Sequence, residues 1–148
     1  MVGTFSKSRS LAGGRLGYGI ACKELIADLE KIRFSINPYN VNKMTEACGI
    51  GSILDKEYFE KNCRAIKENR RYLVDSLTSL GFDVAPSAAN FILAKKEGVS
   101  GKKLFEGLKE KGILVRRFDM PKISEYLRIT IGSKEDMETL VKAIKELL

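Results

Sequence analysis

The chain has 148 residues, a formal net charge of +7 and a hydrophobic content of 44%. These values are typical of a soluble globular protein with one or two domains. No apolar run approaches the roughly 18 residues that a membrane helix needs, and the first residues do not resemble a signal peptide, so we expect a cytoplasmic protein.

Three cysteines, Cys22, Cys48 and Cys63, are widely spaced in a chain that contains no histidine. No Cys-x-x-Cys pair is present, so the sequence predicts neither a zinc site nor a disulfide framework. We expect three reduced thiols and no bound metal.

The basic residues are interleaved with acidic residues, as in the segment KEYFEKNCRAIKENRRYL. This pattern is typical of solvated helix faces, whereas a nucleic-acid footprint clusters lysine and arginine without neighbouring carboxylates. We therefore expect no nucleic-acid or membrane partner. A basic nucleic-acid or protein-binding module stays open as the alternative from another class, and an acidic or phosphorylated small substrate is compatible with the charge.

Two short strands and a helix are predicted at the start of the chain. The β-prone run Val2–Phe5 and the apolar run Leu16–Cys22 flank a polar loop, Ser6–Arg15. Apolar residues recur at helical spacing in Lys23–Phe34, and Asn37-Pro38 ends the pattern because proline disfavours helix at the residue before it.

The segment Val41–Leu80 is predicted to be mostly helical. Gly49 and Gly51 mark the expected bend within it, and Gly81 stands where a helix C-cap glycine belongs. We expect a connecting helix followed by a second helix.

Strands and helices alternate in the rest of the chain. The predicted strands are Phe82–Ala85, Asn90–Ala94, Ile113–Arg117 and Tyr126–Ile131, and the predicted helices are Gly101–Lys111 and Lys134–Leu148. This order predicts an α/β sandwich in which helices cover one small sheet. We place a domain boundary near residue 45, which divides the chain into residues 1–45 and 46–148.

Lys7 lies in the hydroxyl-rich loop between the first two predicted strands. A lysine that bonds covalently to an aldehyde needs an exposed but fixed amine, and Lys7 has that setting. Arg15, with the hydroxyls of Ser6 and Thr4, supplies the donors that a phosphate group prefers. On spacing alone, an ordinary solvated loop is the alternative.

The loop also carries a longer pattern, S-K-x-x-x-L-A-G-x-R-x-G-Y, formed by Ser6, Lys7, Leu11, Ala12, Gly13, Arg15, Gly17 and Tyr18. It resembles the lysine signature of fold-type I aminotransferases, and TFSKSRSLAG resembles the histidinol-phosphate aminotransferase branch. Further matches are NPYNVN at 37–42, PSAANFIL at 86–93, GILVRRF at 112–118 and YLRITIGSKEDM at 126–137. The resemblance covers nearly the whole chain.

The resemblance implies a homodimeric enzyme that uses pyridoxal 5'-phosphate to transfer an amino group between L-glutamate and imidazole acetol phosphate, in L-histidine biosynthesis. Lys7 would be the catalytic lysine that bonds the cofactor, and Ser6, Arg15 and Thr4 would bind the cofactor phosphate. Residues 1–45 would be a remnant of the large cofactor-binding domain, and residues 46–148 would form the small C-terminal domain.

Two arginines fall in family positions that bind substrate. By the resemblance, Arg128 in LRITIG grips the substrate α-carboxylate, and Arg116 in ILVRR lies near the phosphate-bearing end of the substrate. Arg117, next to Arg116, leaves a surface role for Arg116 open. Asn90 and Tyr39 also fall in family motifs, but satisfying the backbone at a strand start and packing in a turn explain them equally well.

Fold-type I enzymes place several cofactor contacts before the lysine, so the resemblance implies a fragment that is incomplete and inactive by itself. We also expect the segment from Thr4 to Ala21 to present unpaired backbone and apolar surface, and roughly the first 35 residues to self-associate or to be disordered. A threonine-phosphate decarboxylase and an aromatic aminotransferase share the lysine motif and the carboxylate arginine, and both stay open as alternatives.

Overall fold

The structure is a computed structural model that describes residues 1–148. It contains five helices and six strands, and the strands form a two-stranded and a four-stranded sheet. None of the helices combines the length and the apolar character that crossing a membrane requires. The chain divides into two compact units, Met1–Cys63 and Arg64–Leu148, while the domain boundary near residue 45 stays a prediction.

The first unit begins with an antiparallel strand pair, β1 (Val2–Thr4) and β2 (Gly17–Gly19). Helices α1 (Lys23–Ile36) and α2 (Lys43–Leu54) follow, and Asn42 caps α2 by accepting a hydrogen bond from the backbone N–H of Thr45. The predicted strand pair and the helix that ends before Pro38 are confirmed. No residue of α1 is buried. The apolar surface expected within Thr4–Ala21 is seen at Tyr18 and Ile20, which are 48% and 58% exposed, while the self-association or disorder of the first residues stays a prediction.

The bend that the sequence predicts at Gly49 and Gly51 is wrong, because both glycines lie inside α2. The helical stretch breaks instead at Asp55, whose carboxylate accepts a hydrogen bond from the N–H of Tyr58 in the first turn of α3 (Lys56–Ser79). Gly49 serves close packing: a Cβ there would lie 2.5 Å from Cδ2 of Leu16.

The second unit contains the C-terminal part of α3 and one antiparallel sheet. Its strands are β3 (Asp83–Val84), β4 (Phe91–Lys95), β5 (Arg116–Arg117) and β6 (Leu127–Thr130), in the order β3-β4-β6-β5. Helices α4 (Gly101–Glu110) and α5 (Lys134–Leu147) complete the unit. The predicted helices and strands of this region are confirmed, except that the strand predicted over 113–117 is limited to Arg116–Arg117.

One face of this sheet forms the hydrophobic core. Alternate strand residues point to it, and they pack with apolar residues of α3, α4 and α5. The main contributors are Leu73, Leu77, Ile92, Ala94, Leu104, Leu108, Leu127, Ile129, Met137, Leu140 and Ile144. The predicted α/β sandwich is therefore confirmed, with the three helices on one side of the sheet.

Two of the helices in this unit end in glycine caps. Gly81 and Gly112 have φ angles of 81° and 76°, a left-handed conformation that glycine adopts without a steric penalty. After α4, the N–H of Ile113 donates to the carbonyl of Leu108, which closes the last turn and directs the chain towards β5.

We predict that Leu77→Ala lowers the free energy of unfolding of the second unit by about 2–5 kcal/mol, because it removes a fully buried side chain from the core. The matched control is Leu114→Ala, since Leu114 is 81% exposed and its loss should cost less than about 0.5 kcal/mol. Urea unfolding, monitored by hydrogen exchange at the amides of Ile92 and Ile129, measures the free energy of unfolding of both variants. Equal effects of the two substitutions would contradict the assignment of this core.

We also predict an acidic titration for the carboxyl group that caps α5. Asp136 accepts hydrogen bonds from the hydroxyl of Ser133 (2.7 Å) and from its backbone N–H (2.9 Å), and these bonds lower the pKa of Asp136 below 3.8. Because these bonds favour the ionised carboxylate of the folded chain, they stabilise the fold above pH 3.8. This stabilisation is lost as the pH falls through the lowered pKa of Asp136.

Ser133→Ala should return the Asp136 pKa towards 3.8, whereas Ser79→Ala, a control at the end of α3, should leave it unchanged. Carbon NMR titration of the Asp136 carboxyl measures the midpoint. An unchanged midpoint in Ser133→Ala would rule out the Ser133 hydroxyl bond as the main cause of the lowered pKa.

Candidate functional site

Lys7 lies in the loop between β1 and β2, residues Phe5–Leu16, which we call the lysine loop. Its ends are joined because the N–H of Phe5 donates to the carbonyl of Leu16 (3.1 Å) and the N–H of Leu11 donates to the carbonyl of Phe5 (3.1 Å). Phe5 is buried, while Lys7 is exposed and forms no ion pair. The loop thus holds an accessible, uncompensated amine on a closed frame.

The hydroxyls of Thr4 and Ser6 form a small turn directly before Lys7. Thr4 Oγ1 accepts a hydrogen bond from the N–H of Ser6 (3.0 Å) and donates one to Ser6 Oγ (2.9 Å). Such turns are a common role of threonine and serine in loops. Because Thr4 uses its hydroxyl proton in this way, the hydroxyl proton of Ser6 stays free for a ligand.

Arg15, at the other end of the lysine loop, has a left-handed backbone with φ of 53°. This conformation is uncommon outside glycine and costs energy that the surrounding structure must offset. Its guanidinium group donates only a long bond to the carbonyl of Ala12 (3.3 Å) and pairs with no carboxylate. Most of its hydrogen-bond donors are therefore free for an anion.

Arg9 holds the lysine loop against the helices of the first unit. Its guanidinium group donates a hydrogen bond to the carbonyl of Ser52 in α2 and lies 3.6 Å from the ring centroid of Phe59 in α3. The sequence did not reveal this role, because nothing local to Arg9 indicates that an aromatic ring far along the chain will cover it.

The second set of predicted residues lies on the sheet face opposite the core, which we call the open face. Arg116 on β5 and Arg128 on β6 are directly paired across the strands, so their side chains project from the same face. The guanidinium carbon of Arg128 lies 5.3 Å from the ring of Phe91 and 5.7 Å from that of Phe118. That of Arg116 lies 5.1 Å from the ring of Phe118.

No carboxylate neutralises the paired arginines of the open face. Neither forms an ion pair, and Nε of Arg128 is buried without a hydrogen-bond partner. Like charges placed directly across a sheet destabilise it, and a buried donor without an acceptor costs about 1–3 kcal/mol. An anion bound between the two guanidinium groups would offset the repulsion between them.

Arg117 behaves differently from its neighbour Arg116. It pairs with Asp119 at 3.4 Å and donates through Nε to the carbonyl of Ser124 (2.7 Å), so its charge is already compensated within the fold. Of the two adjacent arginines, Arg116 is therefore the one with donors to spare.

Asn90 and Tyr39 do not join either group of residues. The carbonyl of Asn90 accepts a hydrogen bond from the N–H of Ile131 (2.9 Å), which extends the pairing of β4 with β6. Tyr39 is 89% exposed, so it does not pack in the turn after α1 within the first unit.

Comparison with known proteins places these residues in a family. The family described as "Aminotransferase class I and II" matches residues 1–144. The chain belongs to the class I and II aminotransferases.

Three proteins illustrate the likeness. The chain is 46% identical over 144 residues to histidinol-phosphate aminotransferase 2 of Psychrobacter arcticus. The matched region covers 97% of this chain and 38% of that protein. The crystal structure of histidinol-phosphate aminotransferase from Sinorhizobium meliloti, in complex with pyridoxal-5'-phosphate, has a TM-score of 0.84 at 25% identity and covers 99% of this chain and 40% of that one.

The crystal structure of L-threonine-O-3-phosphate decarboxylase from Porphyromonas gingivalis has a TM-score of 0.72 at 26% identity, with 99% of this chain and 45% of that one covered. The chain thus spans about two fifths of the length of the proteins it matches.

We predict that Arg9→Ala increases hydrogen exchange at the amides of Leu11 and Gly14 by about tenfold, because it removes a charge-assisted hydrogen bond and a cation–π contact. Arg33→Ala is the matched control: Arg33 lies over the ring of Phe34 at 4.3 Å, in α1 of the same unit but outside the lysine loop. Exchange in the loop should not respond to Arg33→Ala. Equal exchange in wild type and Arg9→Ala would disprove the anchoring role.

Proposed function

We propose that this chain is part of a pyridoxal-phosphate-dependent aminotransferase that transfers an amino group between L-glutamate and imidazole acetol phosphate, giving 2-oxoglutarate and L-histidinol phosphate. The observation that carries the proposal is the lysine loop, which contains an exposed amine without a counterion, a hydroxyl with a free proton and a guanidinium group that forms no ion pair. The names of the relatives, at up to 46% identity, support the substrate pair.

The donor set of the lysine loop fits pyridoxal phosphate. A phosphate group needs several strong donors, which Arg15 and the Ser6 hydroxyl provide, while an aldehyde needs a primary amine, which Lys7 provides. When bound, the cofactor supplies the electron sink that stabilises negative charge at the substrate carbon. Thr4 contributes indirectly, because its hydrogen bonds orient Ser6.

Each remaining step is assigned to residues of this chain. Lys7 would hold the cofactor through its amine, and the same amine would move a proton at the substrate carbon that bears the amino group. Arg128 binds the α-carboxylate of L-glutamate through its two-pronged guanidinium group, which orients that carbon. Arg116 binds the negatively charged far end of the substrate.

The whole enzyme is proposed to act as a homodimer in the cytoplasm. In that enzyme, residues 1–45 would belong to the large cofactor-binding domain and residues 46–148 to the small domain. The length of the relatives supports this proposal, since they continue well beyond the part that this chain matches.

A threonine-phosphate decarboxylase is the second candidate, favoured by the likeness to the Porphyromonas gingivalis structure. Its substrate also carries a carboxylate and a phosphate, so the paired arginines suit it equally well. An aromatic aminotransferase would leave Arg116 without a phosphate to bind. Release of carbon dioxide from L-threonine phosphate by the full-length enzyme, against amino transfer from L-glutamate, separates the candidates.

We predict that pyridoxal phosphate labels Lys7 preferentially when it is added to this chain and fixed by borohydride reduction. Peptide mapping measures the label on Lys7 against that on Lys23, an exposed lysine of the same unit that serves as internal control. Arg15→Ala should reduce the preference, because it removes the main phosphate donor of the loop. Equal labelling of Lys7 and Lys23 in wild type would contradict a cofactor site in this chain.

A salt series with duplex DNA tests the alternative of a basic binding module. Phosphate contacts predict an affinity that falls steeply as salt increases. Tight, salt-sensitive DNA binding combined with equal labelling of Lys7 and Lys23 would favour that module over the enzyme.

A further inference from the structure

Phe118 follows β5 and is shared by both arginines of the open face. Its ring centroid lies 5.1 Å from the guanidinium carbon of Arg116 and 5.7 Å from that of Arg128. Phe91 on β4 approaches Arg128 alone, at 5.3 Å. Arg128 therefore contacts two rings, whereas Arg116 contacts one.

The rings support Arg116 and Arg128 in a different way from the neighbouring Arg117, which is held by oxygen acceptors. Arg117 is held by Asp119 and by the carbonyl of Ser124, and each bond uses one of its N–H donors. A ring below a guanidinium group attracts the positive charge through its π electrons and uses no N–H donor. Aromatic support thus fixes an arginine and leaves its hydrogen-bonding edge free.

Such support matters most where two like charges face each other. Arg116 and Arg128 are directly paired across β5 and β6, and repulsion would drive their long side chains apart towards solvent. A single ring near both guanidinium groups offsets part of this repulsion and restricts the mobility of both side chains.

We propose that Phe118 is a positioning residue that holds Arg116 and Arg128 together as one anion-binding pair, with Phe91 as a second support for Arg128 only. The proposal rests on the proposed function in one respect, namely that these arginines bind the substrate's anionic groups. It goes further by assigning the geometry of the pair to an aromatic ring that lies next to both guanidinium groups.

The test uses the whole chain labelled with nitrogen-15, in which the Nε–H resonances of Arg116 and Arg128 report on each guanidinium group. Relaxation of these resonances in the free chain measures the mobility of each group. A titration with inorganic phosphate then measures the dissociation constant at each arginine. The variants are Phe118→Leu, Phe118→Tyr and Phe91→Leu.

The control variant is Phe105→Leu. Phe105 is a partly buried phenylalanine of α4 that packs against the core, so this variant makes the same chemical change away from the arginines. Should Phe118→Leu fail to fold, Phe118→Met provides the same comparison of a flexible side chain with a ring.

The expected result is a selective pattern. Phe118→Leu increases the mobility of both guanidinium groups and weakens phosphate binding about fivefold, a loss typical of one or two cation–π contacts. Phe91→Leu affects Arg128 and leaves Arg116 unchanged. Phe118→Tyr, which keeps the ring, restores wild-type mobility and affinity, and Phe105→Leu changes neither.

Unchanged mobility in Phe118→Leu, or an equal effect of Phe105→Leu, would overturn the positioning role. Failure of the proposed function has a different signature: in wild type, the two Nε–H resonances would not respond to phosphate. The mobility measurement needs no ligand, so it decides the role of Phe118 in either case.

Discussion

The pairing of β4 with β6 sets the position of nearly everything in the second unit. Its register places Ile92 opposite Ile129 and Leu93 opposite Arg128. Because side chains alternate along a strand, Ile92 and Ile129 enter the core while Leu93 and Arg128 project from the open face. A slip of one residue would bury the guanidinium group of Arg128 and expose the core. The same register therefore fixes both the packing of the core and the position of Arg128 on the open face.

The first unit obtains its order in another way. α1 buries no residue, and Leu25 and Leu29 are 50% and 49% exposed, so apolar packing contributes less there than in the second unit. The lysine loop is instead defined by a few polar contacts, chiefly the joined ends at Phe5 and the Arg9 anchor on α2 and α3. Polar contacts between loop and helices place Lys7 without enclosing it.

Much of this arrangement was predictable from local sequence. Periodicity located the helices and strands, and Gly81 marked where α3 ends. The misplaced bend shows the limit of that reasoning, because Gly49 is explained by the side chain of Leu16, which is distant in sequence. Glycine has at least two uses, and only the packed structure distinguishes them.

Strand alternation could have distinguished Arg116 from Arg117. Ile113 and Val115 pack against the core. Because successive side chains point to opposite faces of a strand, Arg117 lies on the same side as these two residues and Arg116 on the other side. The partners of Arg9 and Arg116 were beyond such reasoning, since Phe59 and Phe118 acquire their roles only when separate elements meet. Aromatic residues next to arginines are too common in sequences for the pairing itself to be a signal.

The open face carries an unfavourable arrangement that the fold maintains. Two guanidinium groups face each other without a counterion, and one buried N–H lacks an acceptor. Natural proteins retain such local costs where function requires them, and an anion bound between the two guanidinium groups would offset their repulsion. In the proposed reaction Arg116 meets either a carboxylate or a phosphate as the substrates alternate. A guanidinium group supported by a ring suits both, because its planar set of donors matches either group and no fixed carboxylate competes for them.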